Sequence, residues 1–326
     1  MSVDPAQLEG RTFEGGSTTL EPWLAYLWSK ATAPGTGAAA DETGWAAPPS
    51  TGVAIAREAT SLSTIEETLR GGDWSDLSVF LGGHRFSFAR PIRVGETYRA
   101  QASVTNVSHI TGGQGSFHVV TITYDVTTED GEPAYELETD LIVRDDEGDA
   151  SDDGDEGTGF AADESSPSSG DEAESHRSEA DGSTNLNECS VGETIARRVF
   201  DVDPSSMQLL SAVLRDPNPI HFDPAYTERC GYPGRVNQGP INAEYLAQTA
   251  LEIADSSADL RTLDVRYESF VFETDTVTVT ATLSAVDHET SAVELDLAAH
   301  TGDGSVAVTG SAVVSVETDR FAPATD

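Results

Sequence analysis

Between Arg144 and Cys189 the chain runs through a stretch with almost nothing to bury. Residues 145–188 hold 16 Asp and Glu against one Arg, interleaved with Ser and Gly, and only Phe160 and Leu186 are large and apolar. Such a segment cannot offset the entropy of ordering its own backbone, so it reads as a disordered acidic linker. It divides the 326 residues into units 1–144 and 189–326, each long enough for its own core. In the first unit, Leu20, Leu24 and Leu27 form an apolar stripe at helical spacing beside Trp23 and Trp28. A loop over 31–44 and helical segments at 48–60 and 62–69 follow. From His84 the period changes, with Phe86 and Phe88 alternating and β-rich runs at 98–107, 117–127 and 135–143 separated by glycine turns. The second unit repeats the scheme: a strand at 191–202, two helices, then runs at 262–272, 276–285, 292–299 and 306–316. Helices followed by antiparallel strands, twice over, predict an α+β protein built from two copies of one fold.

The second unit carries RDPNPIHFDPAYTERCGYPGRVNQG from Arg215 to Gly239. Pro217 and Pro219 fix φ and remove two backbone donors, which predicts a stiff, extended loop. Before it, Asp203 and Pro204 cap and open a helix ending at Arg215; after it, Asp223 and Pro224 open a short helical turn that Gly231 closes. A second helix over 240–253 is apolar or small around most of its circumference, the pattern of a helix buried on several sides. The loop thus holds a carboxylate, Asp216, and an imidazole, His221, with the amide of Asn218 between them. Gly239 stands beside them at a helix start, where N–H groups lack helical partners. An acid/base set next to an amide that stabilises a developing oxyanion suits the addition or removal of water beside a carbonyl. Each residue also has an ordinary reading, Asp-Pro and Asn-Pro as turn initiators and His221 as a surface polar group.

Asp216-Pro217-Asn218-Pro219-Ile220-His221-Phe222-Asp223, then Gly231, then Val236-Asn237-Gln238-Gly239, resembles the hydratase 2 motif of the MaoC-like dehydratases, the (R)-specific enoyl-CoA hydratases. The resemblance implies tandem hot-dog domains, each an antiparallel sheet wrapped around a long central helix. It gives Asp216 and His221 the water and the proton, and the Gly239 amide the thioester oxygen. Asn218 would orient the pair or the water. The first unit, which lacks D-x-N-P-x-H, would be non-catalytic and make room for the acyl chain, with His84 an outside candidate and Arg85 a polar strand start. The sequence departs from the motif at Gln238, where the family often has His, and at Arg215, a cation beside the acid that would lower its pKa. For the coenzyme A phosphates the candidates are Arg235 and Arg266, with Gln238 beside them. The substrate implied is a trans-2-enoyl-CoA, hydrated reversibly to an (R)-3-hydroxyacyl-CoA with no separate cofactor. A mesaconyl-CoA-type hydratase acting on a branched dicarboxylic substrate stays open and requires a further arginine in the pocket. Thioester hydrolysis and acyl-CoA binding without catalysis are readings from other classes.

Charge narrows the partners. Against 57 Asp and Glu stand 18 Lys and Arg, Lys30 being the only lysine, for a net charge of −39. Such a surface repels nucleic acid and anionic membranes, and it reads as that of a cytoplasmic protein from a salt-accumulating organism. The acidic segment carries −15 of this, so −24 stays with the two units. Cys189 and Cys230 are far apart and give neither a disulfide framework nor a metal site. No apolar run has the length of a membrane span and no leader is expected at the N-terminus. A monomer of two hot dogs and a homodimer both fit.

Overall fold

The computed structural model describes residues 4–32, 39–41, 44–60, 69, 79–112, 115–144, 186, 189–254 and 259–317. The expected linker at 145–188 and the expected helix at 62–69 therefore lie, but for one residue each, outside the described residues. The first half runs β1 (Thr12–Thr19), α1 (Pro22–Thr32), β2 (Ala39–Asp41), β3 (Gly44–Ala46), α2 (Thr51–Thr60), β4 (Val79–Phe88), β5 (Thr97–Gly112), β6 (Gly115–Thr128) and β7 (Pro133–Arg144). The second half begins with β8 (Thr194–Asp201), α3 (Pro204–Leu214), a 3₁₀ turn (Pro219–His221), α4 (Pro224–Arg229) and α5 (Gly239–Ala250). It ends with β9 (Leu260–Tyr267), β10 (Thr276–Asp287), β11 (Ala292–His300) and β12 (Val306–Ser315).

Ten strands make one antiparallel sheet in the order β1-β5-β6-β7-β4-β9-β12-β11-β10-β8. Counted outward from the middle, β4-β7-β6-β5-β1 and β9-β12-β11-β10-β8 are the same order, so each half is a copy of the other. The copies join where β4 pairs with β9, from Gly83 opposite Arg266 to Ser87 opposite Thr262. The backbones come so close there that a Cβ on Gly83 would stand 2.6 Å from the Val265 carbonyl oxygen, a position only glycine fills without displacement.

The strand pattern has a plain cause. In β10, Val277, Val279, Ala281 and Leu283 are buried and alternate with threonines, the period-2 signature of a sheet with one covered face. What covers it is α5, whose residues from Pro240 to Ala250 are all buried. In the first half α2 takes the corresponding place, burying Val53, Ala54, Ile55 and Ala56. Helix α1 packs on both α3 and α5. Hydrogen bonds also cross between the halves, from Ser50 N to Glu244 Oε2 at 3.1 Å and from Gln248 Nε2 to the Thr32 carbonyl at 3.4 Å.

Three local expectations change. Strand β1 was not expected, because Gly15 and Gly16 erase its alternation; a Cβ on Gly15 would stand 2.6 Å from the Ala100 carbonyl oxygen. The expected loop over 31–44 begins within α1 and contains β2 and the first residue of its partner β3. The run over 262–272 leaves the sheet at Tyr267, and Phe272 keeps only a single bridge to Val236.

Candidate active site

The Asp-Pro-Asn-Pro loop is tighter than an extended segment. Asp203 caps α3, accepting from Ser205 N at 3.0 Å and Ser206 N at 3.3 Å. Arg215 ends that helix in the left-handed region, φ 51°, and Asp216 N turns back to the Ser211 carbonyl at 3.0 Å. Asn218 Oδ1 then accepts from Ile220 N at 3.3 Å, capping the 3₁₀ turn that brings His221 round. The side chain of Asn218 thus builds the turn, while its backbone N–H donates to Asp216 Oδ1 at 3.0 Å.

These bonds leave one free atom on each titrating group. His221 Nδ1 lies 2.8 Å from the Val236 carbonyl oxygen. A carbonyl only accepts, so the proton of the neutral imidazole sits on Nδ1 and the lone pair is on Nε2. Asp216 has Oδ1 committed to Asn218 and Oδ2 open. Oδ2 and Nε2 face each other at 3.7 Å, both side chains 13 % exposed. That is beyond a direct hydrogen bond and within the span of one bridging water.

Gly239 is the first residue of α5, so its amide has no partner within the helix. Tyr267 donates its hydroxyl to the Gly239 carbonyl at 2.8 Å. A Cβ on Gly239 would collide with Leu81 Cδ2 and stand 3.0 Å from the Tyr267 hydroxyl. The residue is held tightly by a side chain from each half. Gln238 does not cap the helix; its Nε2 donates to the Met207 carbonyl at 2.8 Å and to Ser211 Oγ at 2.7 Å, fastening the start of α5 to α3.

Asp216, Asn218, His221, Gln238 and Gly239 line one cavity of about 170 Å³. The cavity lies between the halves and is walled by both, by Val53, Tyr124, Leu137 and Leu141 of the first and Leu214, Ile220 and Phe270 of the second among others. Of its lining residues, Arg144 lies 5.0 Å over the ring of Phe80, which is 6.2 Å from Phe270.

The expected phosphate cations stand elsewhere. Arg235 forms a largely buried ion pair with Glu273, its Nε 2.9 Å from Oε2. Arg266, 70 % exposed, lies 3.4 Å from Glu268. Neither lines the cavity. Arg215 is 80 % exposed and 3.7 Å from Glu58. Arg85 bridges the junction, bonding Asp264 at 2.8 Å and also Glu138.

His84 is no mere strand start. It is buried in the cavity wall, with Nδ1 3.1 Å from Thr139 Oγ1. Burial, with the charge of Arg57 adding to it, pushes its pKa down to about 3. Leu81, Tyr267, Arg57 and Thr139 also line the cavity, and no spacing in the sequence singles them out.

A family model described as the FAS1-like dehydratase domain region matches residues 27–137, a stretch that lies in the first half. No curated protein sequence matches the chain. Among solved structures, one described as a MaoC-like dehydratase is 14 % identical with a TM-score of 0.72, the match covering 96 % of this chain and 100 % of that one. A MaoC-like dehydratase from Phytophthora capsici is 15 % identical with a TM-score of 0.66, covering 98 % and 100 %. A conserved Mycobacterium tuberculosis protein described as having a double hotdog fold is 14 % identical with a TM-score of 0.57, covering 96 % and 98 %. Near-complete overlap at such identities speaks for architecture rather than chemistry, and with the matched strand order of the two halves it shows that the chain has the double hot-dog fold.

Proposed function

We propose that the protein is a hydro-lyase that adds water reversibly across the C2–C3 double bond of a trans-2-enoyl-CoA, giving an (R)-3-hydroxyacyl-CoA. The observation that carries this reading is the pairing of Asp216 Oδ2 with His221 Nε2 at 3.7 Å, each aimed by a backbone bond to its other polar atom, in the same cavity wall as the first amide of α5. The similarity to dehydratase structures and to the dehydratase family model supports it.

Both free atoms are acceptors when Asp216 is ionised and His221 is neutral. A water between them donates both hydrogens and turns its lone pair toward C3. As the C3–O bond forms, one water proton passes to the pair and negative charge moves to the thioester oxygen. The Gly239 N–H, at the positive end of α5, stabilises that charge. The proton returns from the pair to C2, so OH and H arrive on the same face. For the nucleotide end of the thioester Arg144, Phe80 and Phe270 offer a cation and aromatic faces in the cavity lining. The first half contributes walls rather than acid/base groups to this chemistry.

The test is the loss of enoyl absorbance with crotonyl-CoA at molar KCl, with chiral analysis of the product. Asp216→Asn and His221→Ala should each lower kcat by roughly 10²–10⁴-fold with unchanged melting. Retention of most activity in either variant removes these residues from the mechanism. Binding without turnover by the wild type favours the non-catalytic acyl-CoA-binding reading.

A further inference from the structure

The hydration reading gives the thioester oxygen one donor, the Gly239 N–H, and the cavity holds a second group placed to give it another. Asn242 of α5 lines the cavity and is 5 % exposed. Three residues on from Gly239, it stands on the same face of the helix. Helical side chains lean toward the N-terminus and cover the turn before their own Cα, so the Asn242 carboxamide lies over the turn that Gly239 opens. Its one hydrogen bond agrees with this direction: Oδ1 accepts from Nδ2 of Asn237, two residues before Gly239, at 2.7 Å.

That bond decides which end of the carboxamide is committed. With Oδ1 held by Asn237, Nδ2 has no hydrogen-bond partner among the described residues. Unlike Asn237 Oδ1 and Gln238 Oε1 beside it, Nδ2 is not closed off from the cavity. Asn237 is itself buried, and its backbone N–H donates to the Val271 carbonyl at 2.7 Å, so the residue that aims the carboxamide is fixed in turn. An amide nitrogen only donates, and an alkyl chain accepts nothing. The acceptor that hydration brings to this turn is the thioester oxygen.

Resting on the hydration reading of this cavity, we propose that Asn242 is a further catalytic residue, its Nδ2 donating to the thioester oxygen beside the Gly239 N–H, and that Asn237 is the positioning residue that keeps the donor end forward. Two donors then share the charge that reaches the oxygen as water adds to C3. Such a donor acts most strongly once that charge has developed, so its removal lowers kcat more than it raises KM.

The experiment has two readouts at molar KCl, with melting curves as the folding control. The first is kcat and KM on crotonyl-CoA for the full chain, Asn242→Leu, Asn242→Ala and Asn237→Leu. The second is the red shift in absorbance of hexadienoyl-CoA on binding, which reports polarisation of its carbonyl and needs no turnover. It is read for the same substitutions in an Asp216→Asn background, so that no ligand is consumed. Asn242→Leu and Asn242→Ala should each lose about 10²-fold in kcat, with KM little changed, and most of the red shift. Asn237→Leu should lose a smaller part of both. Unchanged kcat and red shift in a folded Asn242 variant overturn the proposal and leave the hydratase reading to Gly239 alone. A fall in kcat with the red shift intact also overturns it, since a merely structural role does that. If crotonyl-CoA is not turned over with Asp216 in place, a red shift that is lost with Asn242 keeps the donor and sinks the hydratase reading. Binding of hexadienoyl-CoA without any red shift overturns the proposal.

Discussion

Replacing Glu244 by Gln should make the stability of this protein depend on pH differently from the wild type, by an amount the structure sets. Glu244 lies on the inner helix α5, 2 % exposed. It accepts from Ser50 N at 3.1 Å and, more weakly, from Gln248 Nε2 at 3.5 Å. Ser50 Oγ in turn accepts from the Trp28 indole at 2.9 Å, so the carboxyl joins α5 to the first half. Burial pushes its pKa up from 4.5 to about 7, the bonds from Ser50 and Gln248 pulling the other way. A raised carboxyl means that between these values the folded state holds more protons than the unfolded one. The stability it contributes is therefore complete below pH 4.5 and is lost as pH rises through about 7. At about 1.4 kcal/mol per pH unit, the interval is worth about 3 kcal/mol.

Glutamine keeps the shape and carries no charge. The stability of Glu244→Gln minus that of the wild type should rise by about 3 kcal/mol between pH 4.5 and pH 8, measured by urea unfolding at fixed molar KCl. The difference matters more than either curve, because His84 opposes it. With its folded pKa down at about 3 from 6.5, His84 loses stability as pH falls, over a window overlapping that of Glu244. The wild-type profile can be nearly flat there while both groups act. A difference that stays constant with pH refutes the reasoning.

Gly239→Ala places a methyl against Leu81 and the Tyr267 hydroxyl; it should cost about 1–3 kcal/mol in urea unfolding and roughly 10²-fold in kcat on crotonyl-CoA by displacing the amide. Tyr267→Phe removes the bond to the Gly239 carbonyl and should lower stability by about 1 kcal/mol, read from the same transitions. Arg235→Met strands Glu273 in a largely buried site and should cost roughly 3 kcal/mol, while a phosphate-binding role would instead raise KM. Melting temperature should climb steeply as KCl is raised from about 0.1 M to about 2 M, since a net charge of −39 is screened over about 10 Å at the lower concentration and about 2–3 Å at the higher; a flat response removes the salt-adapted reading.

Much of this architecture is legible in the sequence because its elements obey local rules. Asp203-Pro204 and Asp223-Pro224 state where helices begin, and both are caps in the structure. The threonine alternation of β10 states which face is buried. The all-round small and apolar pattern of α5 states that nothing of it reaches water. What the sequence hides depends on pairing across long distances. Strand β1 is masked by two glycines present for close approach to Ala59 and Ala100. The commitments of Arg235 to Glu273 and of Arg215 to Glu58 are tertiary facts that composition cannot supply. His84, Arg57 and Thr139 belong to three elements of the first half, with no shared motif, and meet only because β4 pairs with β7 and α2 packs across the sheet.

The halves share one topology and differ in what they bring to the cavity. In the second half α5 occupies the concave face, every residue from Pro240 to Ala250 buried against the strands. In the first half Ala56 and Arg57 of α2 line the cavity, as do Leu137, Thr139 and Leu141, alternate residues of β7. The cavity is therefore bounded by β7 and α2 of the first half on one side and by the start of α5 and the loop before it on the other, with Gly239, Pro240 and Asn242 lining it from α5. The β4–β9 junction brings Leu81 against Gly239, so the cavity reaches the start of α5 and the Asp216–His221 pair. The two copies are therefore unequal in what they bring to the cavity: the second presents the start of a helix and the Asp216–His221 loop, the first side chains of its sheet and of α2.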